Sequence, residues 1–170
     1  MNWSFHAAYD LIDATFESDL SLPSPSNPFA DTNGNVQVRS GNHLPGIPMN
    51  QFKFGVDYRI TPKWNVGTTL IVMGSEYYYG DESNQNPQLP GYEVLNLHTS
   101  YSITKHVEIF AGIQNVLNTR YETLGQFGDP TGIGTPGVPA DGVTNGPGVD
   151  NRFVSPAAPI SASGGVRVKF

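Results

Sequence analysis

The chain closes on the stretch Ser163-Gly164-Gly165-Val166-Arg167-Val168-Lys169-Phe170, and this stretch decides the fold. Val166, Val168 and Phe170 alternate with two basic residues, which is the period of a β-strand with one apolar and one polar face. Because the pattern continues to the last residue, we expect a neighbouring strand to hold the tail in place. The stretch alone suits a membrane-spanning β-strand as well as a strand of a soluble β-sheet. The choice between these two depends on the other segments.

Five further segments show the same alternation and are longer than the about 5–6 residues typical of globular strands. They run from Trp3 to about Thr15, from Gln51 to Ile60, from Trp64 to about Tyr78, from Tyr92 to Ile103, and from Val107 to about Asn115. We therefore predict an all-β fold, an antiparallel up-and-down meander of about six long strands with no helix.

Tight turns and long loops alternate between these segments. Thr61-Pro62-Lys63 and Thr104-Lys105-His106 are short turns, whereas Leu20 to Asn50, Gly80 to Gly91 and about Thr123 to Pro159 are loops rich in Pro, Gly or polar residues. The first of these loops is predicted to be too polar and too often broken by proline for a regular element. Outer-membrane barrels sort their connections in this way, with short periplasmic turns and long extracellular loops. The pattern predicts a partial transmembrane β-barrel.

Aromatic residues lie near the segment ends on the apolar faces, as they do at the two interfaces of a bilayer. They are Trp3, Tyr58, Trp64, Tyr101 and Phe170. Charged residues on the opposite faces would then point into a wet lumen; they are Lys53, Asp57, Arg59, Glu108, Arg167 and Lys169. The alternative is that these aromatics form the core of a soluble β-sheet.

Composition excludes several classes of function. The 170 residues carry a net charge of −6, which gives no electrostatic support for binding nucleic acid. The absence of cysteine removes disulfides and thiolate metal sites. His6, His43, His98 and His106 lack metal-ligand spacing, and no nucleophile–base or paired-carboxylate arrangement stands out. We therefore expect neither an enzyme nor a resident metal or cofactor.

Four ordered stretches resemble the barrel of TonB-dependent outer-membrane receptors. The strongest, Asn115-Val116-Leu117-Asn118-Thr119-Arg120-Tyr121, resembles the family's N-L-F-D-x-R-Y box, with Val-Leu-Asn where Leu-Phe-Asp is common. Leu89 to Leu97 is similar to the P-G-Y-x-x-x-[ND]-L start of a strand, Asn42 to Pro48 to an N-x-L-P-x-x-P element, and Phe127 to Pro130 to a segment after the box in iron–siderophore receptors. Ser163, Gly165, Val168 and Phe170 resemble the C-terminal insertion signal of such barrels.

The resemblance implies that residues 1–170 are the C-terminal segment of a receptor barrel of roughly 22 strands. It further implies TonB-dependent uptake of a ferric siderophore or similar iron ligand across the bacterial outer membrane. The partners implied are outer-membrane lipid, the remainder of the barrel and its plug, and the barrel-assembly machinery, with the TonB system reached through the plug. We read no plug, TonB-binding box or signal peptide in the sequence, and expect that the chain alone cannot form a sealed pore or perform energised transport.

The same resemblance implies that a ligand would bind at the extracellular loops and the lumen. Candidate residues are Tyr77, Tyr78 and Tyr79, the loop from Phe127 to Phe153, and His98 on the predicted lumen face. A run of tyrosines can stack on a catecholate or porphyrin-like ligand, and it can equally form an interfacial belt. Three alternatives to a receptor segment stay open: a small outer-membrane structural or adhesive protein, a soluble β-sandwich binding module, and a non-functional truncated gene product.

Overall fold

The computed structural model describes residues 2–129 and 151–170, and these residues form ten strands and no helix. The strands are β1 Trp3–Leu11, β2 Leu20–Pro23, β3 Asn35–Val38, β4 Asn50–Thr61, β5 Trp64–Met73, β6 Tyr92–Ser102, β7 Val107–Gln114, β8 Glu122–Phe127, β9 Arg152–Pro156 and β10 Ser161–Val168. Within those two ranges, a helix of the length and hydropathy needed to cross a membrane is not found.

Six long strands form one antiparallel sheet in the order β1-β4-β5-β6-β7-β10. This confirms the predicted all-β meander of about six long strands. In the described part of the chain, β1 and β10 each have a sheet neighbour on one side, so the barrel wall is not closed. β10 pairs with β7, with Ser163 opposite Gly112 and Val168 opposite Val107, so the tail is held by a neighbouring strand as expected.

The cross-strand register places the alternating apolar residues on one face. Phe5 lies opposite Val56, and Val56 lies opposite Thr68 on the next strand. Since side chains alternate between the faces of a strand, the charged and amide residues between them occupy the other face. The apolar face is exposed in this chain, with Phe5 at 65% and Val166 at 64%. A contiguous exposed apolar surface marks a contact with lipid or with another protein.

The connections are sorted by length between the two ends of the strands. Residues 62–63 join β4 to β5, and residues 103–106 join β6 to β7. The described parts of the three long connections, residues 12–49, 74–91, 115–129 and 151–160, join the strands at their opposite ends because successive antiparallel strands reverse direction. Four aromatic residues lie near the strand ends that carry the short turns: Trp3, Tyr58, Trp64 and Tyr101. The ring centres of Trp3 and Tyr58 are 4.3 Å apart.

Two connections contain hairpins. The prediction that residues 20–50 hold no regular element was wrong, because β2 and β3 pair with Leu20 opposite Val38 and Leu22 opposite Val36. In the connection from about Thr123 to Pro159, β8 pairs with β9. These strands have four to six residues, which is too short to display a clear two-residue period between prolines and polar residues. The first and third long strands also end earlier than predicted, at Leu11 and Met73.

The hydrophobic core lies mainly among the long connections rather than on the sheet. Val36, Val38, Tyr78 and Leu89 are buried there, whereas Val94 is the buried hydrophobic residue of the six-stranded sheet among the described residues. The sheet therefore has little core of its own, and the described parts of the connections form a packed layer at one end of its strands.

Candidate functional site

The three consecutive tyrosines after β5 have different surroundings. The Tyr77 ring stacks on the His43 ring at 6.3 Å, and the Tyr77 carbonyl accepts a hydrogen bond from the Gly46 amide at 2.9 Å. Tyr79 is 46% exposed, and its ring lies against Gly46, where a Cβ would meet the ring at 2.2 Å. A side chain at position 46 would displace Tyr79, so Gly46 fixes the position of the exposed ring.

Tyr78 is 5% exposed and packs inside the layer of connections. Its ring lies 5.5 Å from the Phe127 ring and covers Gly125, where a Cβ would meet it at 2.5 Å. Of the candidates named from the sequence, Tyr78 and Phe127 are thus brought together as a packing pair. Tyr77 and Tyr79 precede and follow Tyr78 in the chain, and their rings lie against His43 and Gly46. A ligand-binding role for these four residues stays a prediction.

His98 lies on the polar face of β6, as predicted, and forms part of a row with Asp57 and His6. Its Nε2 is 2.8 Å from Asp57 Oδ1, and His6 Nδ1 is 3.8 Å from Asp57 Oδ2. We call His6, Asp57 and His98 the His–Asp–His row. All three side chains are about half exposed, so they can exchange hydrogen bonds with a molecule on this face. In residues 2–129 and 151–170, no group of three or more side chains is arranged to hold a metal ion.

Two glycines make the His–Asp–His row possible. Asp57 and His98 belong to β4 and β6, which are separated by β5, and Gly67 of β5 lies between them in the register. A Cβ at Gly67 would meet His98 at 2.4 Å and Asp57 at 2.5 Å. Gly55 leaves room in the same way for the His6 ring. The two-residue period predicts the face on which His98 lies, but the pairing with Asp57 depends on the register and on Gly67.

An ion pair lies on the polar face of the last two strands of the sheet, β7 and β10. Arg167 Nη1 donates to Glu108 Oε1 at 2.7 Å, and the guanidinium lies 5.5 Å from the centre of the Phe110 ring. Both residues were predicted from the sequence to face the lumen side. Because the Arg167 side chain is 58% exposed, the pair is worth at most about 1 kcal/mol of stability.

The box that carries the family resemblance is a structural latch after β7. Asn115 is 2% exposed and has a φ of 51°, which reverses the chain direction. Its Nδ2 donates to the carbonyls of Thr119 at 2.9 Å and Ala158 at 3.3 Å, and its Oδ1 accepts from the Thr119 amide at 2.9 Å. The Asn115 amide donates to Asn96 Oδ1 at 2.9 Å. These bonds join β6, β7 and the segment before β10.

A cleft of about 270 Å³ opens beside this latch at the loop end of the polar face. The rings of Tyr92 and Tyr121 stack at 4.2 Å on one side of it, and the amides of Asn96 and Gln114 lie on the other. None of its lining residues is charged. A neighbouring cleft of about 210 Å³ is lined by Glu76 and Glu122, and burial raises the pKa of the Glu76 carboxyl above its ordinary value.

Two other sequence predictions have a defined place in the chain. In the tail, Gly165 lies opposite Phe110, where a Cβ would meet the ring at 2.7 Å, and Phe170 follows β10 with its ring exposed. A role of Ser163, Gly165, Val168 and Phe170 as an insertion signal stays a prediction. Of the candidate loop from Phe127 to Phe153, residues 130–150 lie outside the described residues.

Comparisons with known proteins agree with this architecture. A family model described as TonB dependent receptor-like, beta-barrel, matches residues 2–116. The probable TonB-dependent siderophore receptor PiuA of Acinetobacter baumannii is 27% identical over 86 residues, which are 51% of this chain and 11% of that protein.

Solved structures share the fold over nearly the whole chain. The siderophore receptor PiuA from Acinetobacter baumannii gives a TM-score of 0.70 at 17% identity, over 99% of this chain and 20% of that one. The closed form of the ferric-catecholate import receptor Fiu from K12 E. coli gives 0.62 at 18%, over 99% and 19%. The copper transporter OprC gives 0.59 at 19%, over 99% and 21%. The chain thus spans about a fifth of the length of these structures.

Proposed function

The chain belongs to the TonB-dependent receptor β-barrel family, and we propose that it is the C-terminal wall segment of an outer-membrane receptor that takes up a ferric siderophore or a similar iron ligand. The family consists of receptors and transporters of the bacterial outer membrane and is not a family of enzymes. In this proposal the six long strands form part of the barrel wall, and the packed connections form part of its extracellular mouth.

The proposal rests on one observation, which is that the two ends of the strands carry different structures. Short turns and aromatic side chains lie at one end, whereas the packed connections with Tyr77 and Tyr79 lie at the other. A receptor wall needs this asymmetry, because a ligand has to be recognised on one side of the membrane only. The polar face, with the His–Asp–His row and the uncharged cleft, would then line the path of the ligand.

The partners proposed follow from the same arrangement. The exposed apolar face would contact lipid, since long strands with alternating apolar and polar side chains turn their apolar face to the hydrocarbon layer. The free sides of β1 and β10 would pair with further strands of the barrel, because unpaired backbone groups cannot face lipid. The tail residues Ser163, Gly165, Val168 and Phe170 would be recognised by the barrel-assembly machinery. The TonB system would act through a plug domain.

The test is uptake of radiolabelled iron in iron-starved bacteria that produce the receptor containing this chain. Ferric catecholate, ferric hydroxamate and copper are supplied separately, with and without an active TonB system. We expect TonB-dependent accumulation of one ferric chelate. Accumulation of copper alone would change the cargo, and no TonB-dependent accumulation of any of the three would refute the proposal. Reading the gene upstream of the Met1 codon gives an independent check, since a plug domain is expected there in frame.

A further inference from the structure

The three long connections pack into one body, which we call the loop cap: residues 12–49, 74–91, 115–129 and 151–160. We propose that the loop cap is a single cooperative unit that opens and closes as a whole, and that Asp81 holds it together. The alternative is that each connection moves independently above its own strands. This inference concerns the motion of the connections and stands without the proposed cargo.

Asp81 is the centre of the hydrogen bonds inside the cap. Its side chain is 0% exposed, and its Oδ1 accepts bonds from Asn27 Nδ2 at 3.3 Å, Ser83 Oγ at 3.1 Å and the Gln85 amide at 3.2 Å. Its Oδ2 accepts from the Asn86 amide at 3.0 Å. A buried carboxylate that is satisfied by four donors is stable, but removing it takes the acceptor away from Ser83 Oγ and from the Gln85 and Asn86 amides.

The first and second connections are joined at Gly80, next to Asp81. The Gly80 carbonyl accepts from Ser24 Oγ at 2.7 Å and from Asn27 Nδ2 at 2.6 Å. Gly80 has a φ of 92°, and a Cβ there would lie 3.1 Å from Ser24 and 3.3 Å from Phe127. All three connections therefore meet at this one residue.

Further contacts tie each pair of connections together. The side-chain amide of Asn84 bonds both backbone groups of His43, accepting from its amide at 2.5 Å and donating to its carbonyl at 3.0 Å. The Tyr79 amide donates to Gly125 and its carbonyl accepts from Phe127, which forms a parallel bridge to the third connection. Asn151 Nδ2 donates to the Ser26 carbonyl at 3.0 Å, joining the third connection to the first.

Burial gives the reason for cooperativity. Val36 and Val38 come from the first connection and Tyr78 and Leu89 from the second, and all four are buried in the cap. The Tyr78 ring of the second connection packs on Phe127 and Gly125 of the third, so separating these two connections would expose the ring and break the polar bonds described above. Segments joined by buried contacts in this way open together.

Hydrogen exchange of the receptor that contains this chain, in detergent micelles, tests the proposal. Asp81→Ala is compared with Asp31→Ala, a matched control whose carboxylate accepts two amide bonds within one exposed turn of the first connection. In D81A we expect exchange about tenfold or more faster at Val36 and Val38, at residues 77–79 and at residues 124–127, because Ser83 Oγ and the Gln85 and Asn86 amides lose their acceptor and Asn27 loses its bond to the second connection's carboxylate. In D31A the increase should stay near the turn. Faster exchange in D81A only near residues 81–86 would overturn the proposal.

The unmodified chain provides a second measurement that does not depend on whether D81A folds. Exchange is followed at increasing urea concentrations below the unfolding transition, with β5 as an internal reference for the sheet. We expect the three parts of the cap to converge on one opening free energy with one urea dependence. Separate opening free energies for the three connections would refute a single unit.

Discussion

The six-stranded sheet and the loop cap bury opposite kinds of side chain. On the sheet, large apolar residues such as Phe5 and Val166 are exposed. In the cap, Asn27 and Asp81 are polar and fully buried, beside an apolar core that includes Val38. The cap is thus organised like a small water-soluble domain, whereas the sheet is organised for an apolar solvent. The difference teaches that one chain can follow two sets of burial rules, one in its sheet and one in its packed connections.

Val38→Asp should have the largest effect on the cap, because it places an unpaired carboxylate in the core. We expect a loss of about 3 kcal/mol or more in the free energy of unfolding of the cap. Limited proteolysis between residues 12 and 49 measures it. The control is Gln37→Asp, whose side chain is exposed on the same strand. Equal cleavage of the two variants would mean that the cap has no true core.

Asn115→Ala should loosen the boundary between the two regions. The variant removes three side-chain hydrogen bonds and leaves the Thr119 amide unpaired, at a cost of about 2–3 kcal/mol. The expected result is faster hydrogen exchange along β10, because the latch holds the segment before it. Gln114→Ala, at the exposed neighbouring position, is the control. Unchanged exchange in β10 would show that β7 alone sets the position of the last strand.

The pair Thr68→Asp and Thr69→Asp tests which solvent each face of the sheet prefers. Thr68 lies on the apolar face, opposite Val56, and Thr69 lies on the polar face, opposite Gly55. In lipid vesicles we expect T68D to lower stability by about 1–2 kcal/mol and T69D to change it little, since a charge is costly only against hydrocarbon. Urea titration of the vesicle-inserted receptor that contains this chain measures both. The same loss for both variants would contradict the assignment of the faces.

Glu76→Gln should give the smallest change in the free energy of unfolding. Glu76 lies where the loop cap joins the sheet, just after β5. Burial raises the pKa of Glu76, so its protonated form is favoured in the folded chain. Its stabilising contribution is therefore present below the unfolded pKa of 4.5 and is lost as the pH rises through the folded value. We expect E76Q to be slightly more stable than the unmodified chain at pH 7 and equal to it in acid, measured by urea unfolding at both pH values. Glu17→Gln, at an exposed position, is the matched control.

The sheet could be predicted from the sequence because its two-residue period is sustained over long segments. Phe52, Phe54, Val56 and Tyr58 alternate with polar residues without interruption, and the register confirms the faces that this period predicts. The sorting of short turns and long loops was also visible, since prolines and glycines mark the connections. These signals are local, and local signals are sufficient for a meander in which consecutive long strands are neighbours.

The cap could not be predicted, because its core is assembled from residues far apart in the sequence. Asn27 and Asp81 lie in connections without a sustained period, and their burial follows only from contacts across 54 positions. The tyrosine run is visible in the sequence, but the burial of Tyr78 against Gly125 depends on a hairpin too short to show a period. For the same reason His98 was placed on the correct face while its partner Asp57, 41 positions away, was not identified.

The bond between Asp57 and His98 has a mechanical consequence. It connects β4 to β6 over the glycine of the strand between them, so it acts in parallel with the backbone ladders on both sides of β5. If a single molecule were pulled from a membrane by its end, this bond would have to break together with the ladders before β4 and β6 could separate. Gly67 is the residue that allows the two side chains to meet above β5.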